Sequence, residues 1–238
     1  MNDLNLPAHL NQTQAQGLVL DEVIAQYELG EFKNFIYLIL DWKKKKAAIV
    51  DPQKDLTMPL QALKQHGFEL EAILLTHTHH DHIAGVIPLL QQMPNLKIYV
   101  GDADLHRLPK VAVKAAGLTV LEDSAELKMG DISISVHHTP GHSAGEFCYY
   151  LECSTANSVP YLFTGDTVFI RDCGRTDFET GSNQEMFESI QKIKKFSPDT
   201  VLLVGHHYAK ECATTLGAEL EQSAPFRCCT VEELASLP

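Results

Sequence analysis

Short runs of aliphatic, β-branched and aromatic residues alternate along the chain with stretches in which apolar positions return every three or four residues. NFIYLIL (34–40) and KAAIVD (46–51) read as a hairpin, with DWKKKK (41–46) as its solvated turn. DLTMPLQALKQHGF (55–68) reads as a helix with Pro59 in its first turn, and EAILLT (71–76) as a buried strand. The apolar spacing of DHIAGVIPLLQQM (81–93) predicts a helix, so Asp81 and His82 should sit where it begins. Further on, DISISVHHTPGHS (131–143) is a strand running into a turn, and EFCYYLE (146–152) and YLFTGD (161–166) are strands. NQEMFESIQKIKKF (183–196) is an amphipathic helix, and DTVLLVGHH (199–207) is one more buried strand. No Gly/Ser/Pro linker divides the series, which predicts a single α/β domain over 1–238. Residues 1–16 are expected to be a flexible N-terminal segment and 210–238 a short helical tail.

Four of these strands end in His or Asp, where α/β sites usually lie. The densest case is THTHHDH (76–82). His77 and His79 can face one point there, and Asp81 and His82 a neighbouring one, which implies two adjacent metals. Imidazole and carboxylate are ligands of zinc, iron and manganese, and a cation is the most direct means of neutralising several such groups brought together. Candidates to complete the sites are His142 in TPGHS, Asp166 in FTGD and His206 in VGHHY. Asp166 is the natural bridging carboxylate. A metal pair so bridged can share a water whose pKa falls toward neutrality, and the resulting hydroxide would attack a carbonyl. Asp51 in IVDP is expected to brace the site. His80, His137, His138 and His207 are expected beside it or on the surface, and His66 and His106 on exposed helical segments.

Composition narrows the partners. The net charge of −12 repels phosphate backbones and anionic lipid, so neither nucleic acid nor a membrane surface is expected as a partner. The N-terminus has no basic region followed by an apolar one, and the longest strongly apolar run, FIYLIL, is too short to span a bilayer. The expectation is a cytoplasmic protein. Six cysteines without a C-x-x-C pair suit a reducing compartment. Monomer and homodimer both stay open.

THTHHDH, HTPGHSAG, FTGDTVF and VGHHY, in this order, resemble the metallo-β-lactamase superfamily from about residue 28 almost to the C-terminus. The resemblance implies a four-layer αββα sandwich with a metal site along one edge of two sheets. It also implies one metal held by His77, His79 and His142, a second by Asp81, His82 and His206, with Asp166 bridging and Asp81 and Asp166 serving catalysis. Two branches are similar: glyoxalase II, a hydroxyacylglutathione hydrolase, and the glutathione persulfide dioxygenases. The first implies two divalent ions, zinc or iron, and a glutathione thioester gripped by Arg175 and Tyr208. The second implies one Fe(II) on His77, His142 and Asp166. TGDTVF followed by CGR resembles the hydrolase, and the hydrolase is the leading reading. In contrast, IRDCGRTDF and the tail after Cys212 look more like the dioxygenases and the short single-domain glyoxalase-like hydrolases; the arginine is followed by TDFETG, and 32 residues follow His206.

Overall fold

The apolar runs become strands. The computed structural model describes residues 13–14, 17–19, 23–152 and 159–237. The segment expected to be flexible over 1–16 lies outside the described residues, except for the strand Thr13–Gln14. Eight strands form one sheet in chain order: β1 (Thr13–Gln14), β2 (Gly17–Val19), β3 (Ile24–Leu29), β4 (Asn34–Asp41), β5 (Lys46–Val50), β6 (Glu69–Leu74), β7 (Lys97–Gly101) and β8 (Leu118–Leu121). Pairing is antiparallel from β1 to β5 and parallel from β5 to β8. Parallel neighbours need a crossover. It is supplied by α1 (Thr57–His66), then by α2 (His80–Ile83) with α3 (Val86–Gln92), then by the 3-10 turn Asp102–Arg107 with α4 (Lys110–Val113).

The second sheet contains β9 (Glu126–Met129), β10 (Ile132–His138), β11 (Phe147–Leu151) and β12 (Tyr161–Gly165). After the small ribbon β13 (Val168–Phe169) and β14 (Asp172–Cys173) come α5 (Asn183–Ile193), β15 (Val201–Val204) and β16 (Thr214–Thr215). The strand order is β16-β15-β12-β11-β10-β9, with β12 and β15 parallel. Three short helices follow: α6 (Leu216–Gln222), α7 (Ala224–Arg227) and α8 (Val231–Ala235).

Strand periodicity divides each run between two cores. On β4, Phe35, Tyr37 and Ile39 pack between the sheets, whereas Ile36, Leu38 and Leu40 pack outward under α1 and α3. On β12 and β15, Tyr161, Phe163, Val201 and Leu203 face the inter-sheet core, whereas Leu162 and Leu202 meet Met186 and Ile190 of α5 and Phe226 of α7. Both faces of the central strands β4, β5, β12 and β15 are covered. The runs therefore read as continuously apolar, and the layers are helix, sheet, sheet, helix.

One expectation needs correction: the helix over 81–93 is two helices, α2 and α3. The N–H of Gly85 leaves the helical ladder to donate to the Pro52 carbonyl at 2.7 Å, and Pro88 has no N–H to give. The break ties this segment to the loop that follows β5.

The tail is pinned by a buried charge. Glu219 is fully buried and accepts from the Arg171 backbone N–H at 2.8 Å, the Arg171 guanidinium and the Thr214 hydroxyl at 2.9 Å. Arg171 adopts φ +68°, a left-handed conformation that these bonds hold in place. Arg171→Met should strand the carboxylate and cost about 3 kcal/mol of unfolding free energy, as breaking a buried ion pair usually does. Urea denaturation measures it, and a loss under about 1 kcal/mol would show the pair to be dispensable.

Candidate metal centre

The C-terminal ends of β5, β6, β10, β12 and β15 open on one edge of the sandwich. Their loops carry Asp51, His77 with His79, His142, Asp166 and His206, and α2 adds Asp81 and His82. The two sheets are joined at this edge. The Phe35 N–H donates to the Gly205 carbonyl at 2.8 Å and the His207 N–H to the Lys33 carbonyl at 2.9 Å, so Asn34 and His206 sit side by side. A Cβ on Gly205 would fall 2.2 Å from Asp166 Oδ1, so the carboxylate occupies the space any other side chain would take.

All seven sequence-predicted ligand residues converge. The ligand-type atoms of His77, His79 and His142 lie within 4.8 Å of one another, and so do those of Asp81, His82 and His206. Asp166 stands between the groups. Its Oδ2 is 3.5 Å from His142 Nε2 and 3.3 Å from His206 Nε2, and its Oδ1 is 3.5 Å from His82 Nε2. Asp81 Oδ2 is 3.5 Å from both His82 Nε2 and His206 Nε2. Two nitrogens on one tetrahedral zinc, each bonded at 2.0–2.1 Å, stand about 3.3 Å apart.

Whether cations suit this donor set can be read from its hydrogen bonds. His82 Nδ1 donates to Asp51 Oδ2 at 3.1 Å and His206 Nδ1 to the Phe32 carbonyl at 2.8 Å. With Nδ1 of each ring engaged in this way, the two Nε2 atoms face each other at 3.1 Å, placed as a pair of ligand atoms for a cation that displaces any proton between them. His142 is set in the same way, its Nδ1 donating to the Arg175 carbonyl at 2.8 Å while its Nε2 lies 2.9 Å from His79 Nδ1. His77 Nε2 and Asp166 Oδ1 are buried with no hydrogen-bond partner. Buried polar atoms left in this way are costly, and a shared cation is what lone pairs aimed at one another require. The residues fit divalent metal ions.

Electrostatics agree. Burial opposes ionisation of Asp166, yet His82, His206 and His77 hold its carboxyl well below the usual range. Burial likewise opposes a charge on His82, but Asp166, Asp51 and Asp81 carry its pKa up to about 9. Burial and neighbouring imidazoles push His77 well down and His79 to about 4. The carboxylates of this centre call for positive charge, and two of its imidazoles resist supplying it.

The remaining expectations are placed as follows. Asp51 takes the bracing position, receiving the Thr76 N–H at 2.8 Å and hydroxyl at 2.6 Å as well as His82. Tyr208 stacks on the His206 ring at 4.8 Å and is 61% exposed. Arg175 is exposed, pairs with Asp177 through two 2.9 Å bonds and lies 4.8 Å over the Phe178 ring, which packs on His79 and His142. His80 is exposed, His207 pairs with Glu28 at 2.6 Å, and His66 and His106 are exposed; none joins the centre. His137 and His138 lie on β10, against Phe196 and the Ala144 carbonyl.

Three polar residues escaped the sequence reading. Asn34 donates to Asp81 Oδ2 at 2.8 Å. Fully buried Glu146 receives the Asp166 backbone N–H at 2.8 Å, and fully buried Asp104 bonds the loops of His77 and His142. Local signal for them was faint: Glu146 follows HTPGHSAG directly, and Asp104 ends GDAD after a strand.

Residues 29–206 match the family described as the Metallo-beta-lactamase superfamily. A hydroxyacylglutathione hydrolase of Pectobacterium carotovorum subsp. carotovorum (strain PC1) is 39% identical over 74% of this chain and 62% of its own length. The chain thus spans about three fifths of that relative. A probable polyketide biosynthesis zinc-dependent hydrolase, BaeB, of Bacillus velezensis (strain DSM 23117 / BGSC 10A6 / LMG 26770 / FZB42) is 34% identical over 84% of this chain and 88% of its own. The crystal structure of TTHA1623 in a di-iron-bound form is similar at a TM-score of 0.66 and 27% identity, over 83% of this chain and 98% of that one. With the family match covering most of the chain and four layers meeting at a His/Asp edge, this chain belongs to the metallo-beta-lactamase superfamily.

Proposed function

We propose that the chain is a dinuclear metal-dependent hydrolase of glutathione thioesters, of the hydroxyacylglutathione type. The observation that carries the dinuclear reading is Asp166, whose Oδ2 lies 3.5 Å from His142 on one side and 3.3 Å from His206 on the other. His77, His79 and His142 would hold one cation, and Asp81, His82 and His206 the other, with Asp166 shared. The thioester reading is supported by the hydroxyacylglutathione hydrolases among the relatives.

When bound, such a cation pair polarises a carbonyl and brings the pKa of water toward neutrality. The chain's own residues do the rest. Asp51, the Phe32 carbonyl and the Arg175 carbonyl hold the Nδ1 protons of His82, His206 and His142, which keeps each Nε2 turned inward as a lone-pair donor. Asn34 fixes Asp81, and Glu146 fixes the backbone of Asp166. Tyr208 and Phe178 cover the outer faces of His206, His79 and His142, narrowing solvent access. A thiolate leaves with a pKa of about 8.5, so a thioester needs no strong general acid.

Arg175 is at the rim, and its guanidinium would exchange Asp177 for a carboxylate of the thiol carrier. Arg175→Ala should raise KM for S-lactoylglutathione about tenfold with kcat nearly unchanged, since it removes binding common to substrate and transition state. Steady-state kinetics on wild type and Arg175→Ala test it; an unchanged KM would remove glutathione from the reading. Oxygen uptake with glutathione persulfide in place of thioester hydrolysis would replace the hydrolase with an iron dioxygenase.

A further inference from the structure

We propose that Asp104 is a positioning residue that sets the first metal subsite by locking the His77–His79 loop to the His142 loop. The inference rests on the metal-centre reading above. Asp104 follows β7 and is fully buried, and its hydrogen bonds run to residues beside the predicted ligands. A single oxygen of it, Oδ2, receives both the Thr78 N–H at 3.0 Å and the Ser143 hydroxyl at 2.9 Å. Thr78 lies between His77 and His79, and Ser143 follows His142. One atom therefore fixes the distance between the two backbone segments that carry all three imidazoles.

The other oxygen completes the lock. Oδ1 receives the Gly145 N–H at 3.1 Å and Arg107 Nη1 at 3.2 Å, and the Asp104 carbonyl receives the Thr78 hydroxyl at 3.0 Å. Each carboxylate oxygen thus has two donors, and the guanidinium balances a charge that burial would otherwise penalise. Arg107 also donates to Thr180 at 3.0 Å, reaching the segment that carries Phe178. The packing is built around the carboxylate: a Cβ on Gly145 would lie 2.7 Å from Asp104 Cβ and Cγ, and one on Gly101 would lie 2.1 Å from the Gly145 carbonyl oxygen. The second subsite has its own brace in Asp51, which holds His82. Asp51 also receives Thr76, which precedes His77, and so reaches both subsites, whereas Asp104 bonds to the loops of the first.

Asparagine shows why a carboxylate is needed. It has the same shape, but its NH2 would face two donors on whichever side it is placed. Asp104→Asn should therefore loosen the first subsite and leave the second. Zinc titration of the metal-free full chain, followed by competition with a chromophoric chelator, reads both dissociation constants. Wild type is expected to take two ions. In Asp104→Asn one of the two should weaken roughly 10- to 100-fold, the usual cost of losing a residue that orients ligands, and the other should hold within about threefold. In a His206→Ala background the substitution should weaken the single remaining site, and in a His142→Ala background it should change nothing further. Ser143→Ala, which removes one donor and no charge, should show the same selectivity to a smaller degree and serves if the Asn variant does not fold. Wild type that binds no zinc would overturn the metal centre itself. Wild type that binds two, with Asp104→Asn or Ser143→Ala weakening both equally or neither, would overturn only the positioning role.

Discussion

Replacing Asp166 with alanine is expected to cut S-lactoylglutathione hydrolysis by more than the roughly 10²- to 10³-fold that loss of one oxyanion donor costs. The reason is its position: the carboxylate reaches His142 at 3.5 Å and His206 at 3.3 Å, so its removal takes a neighbour from both subsites at once. The fold should persist. The Asp166 backbone N–H remains on Glu146, and the Gly205 N–H remains on the Gly165 carbonyl at 2.8 Å. Initial rates, with metal content and circular dichroism on the same sample, separate these effects. A folded variant with rates within tenfold of wild type would deny Asp166 the bridging role.

Metal removal should destabilise the chain strongly. Without cations, the Nε2 atoms of His82 and His206 face each other at 3.1 Å, and His77 Nε2 has no partner. Metal at 1,000 times its dissociation constant stabilises a folded chain by about 4 kcal/mol per site. For a chain of this size each kcal/mol shifts Tm by roughly 2–4 °C, so chelation should lower Tm by on the order of 10 °C or more. Adding back zinc should restore it. Differential scanning calorimetry before and after dialysis against a chelator checks this, and an unchanged Tm would mean that the histidines pack without a cation.

How much of this was legible in the sequence depended on the range of each signal. Strands such as NFIYLIL and DTVLLVGHH announced themselves because both of their faces are buried; β15 forms within its run, and β4 covers its own and extends one residue further, to Asp41. The seven clustered residues were legible because His and Asp recur at strand ends, a pattern local to each motif. Gly85 leaving the helical ladder for the Pro52 carbonyl was not legible, since its acceptor comes from another loop. Asp104, Glu146 and Asn34 were missed for the same reason. A buried aspartate that bonds loops 26 and 39 residues away carries no local periodicity. The carbonyls of Phe32 and Arg175, which set the tautomers of His206 and His142, are backbone atoms that any residue type would supply.

The central claim is that two cations share Asp166, and metal content per folded chain, measured by mass spectrometry on protein purified without chelator, tests it most directly. The account predicts two ions of zinc or iron per chain, falling on substitution of Asp166. One ion per chain, unchanged when Asp81, His82 or His206 is replaced, would contradict it.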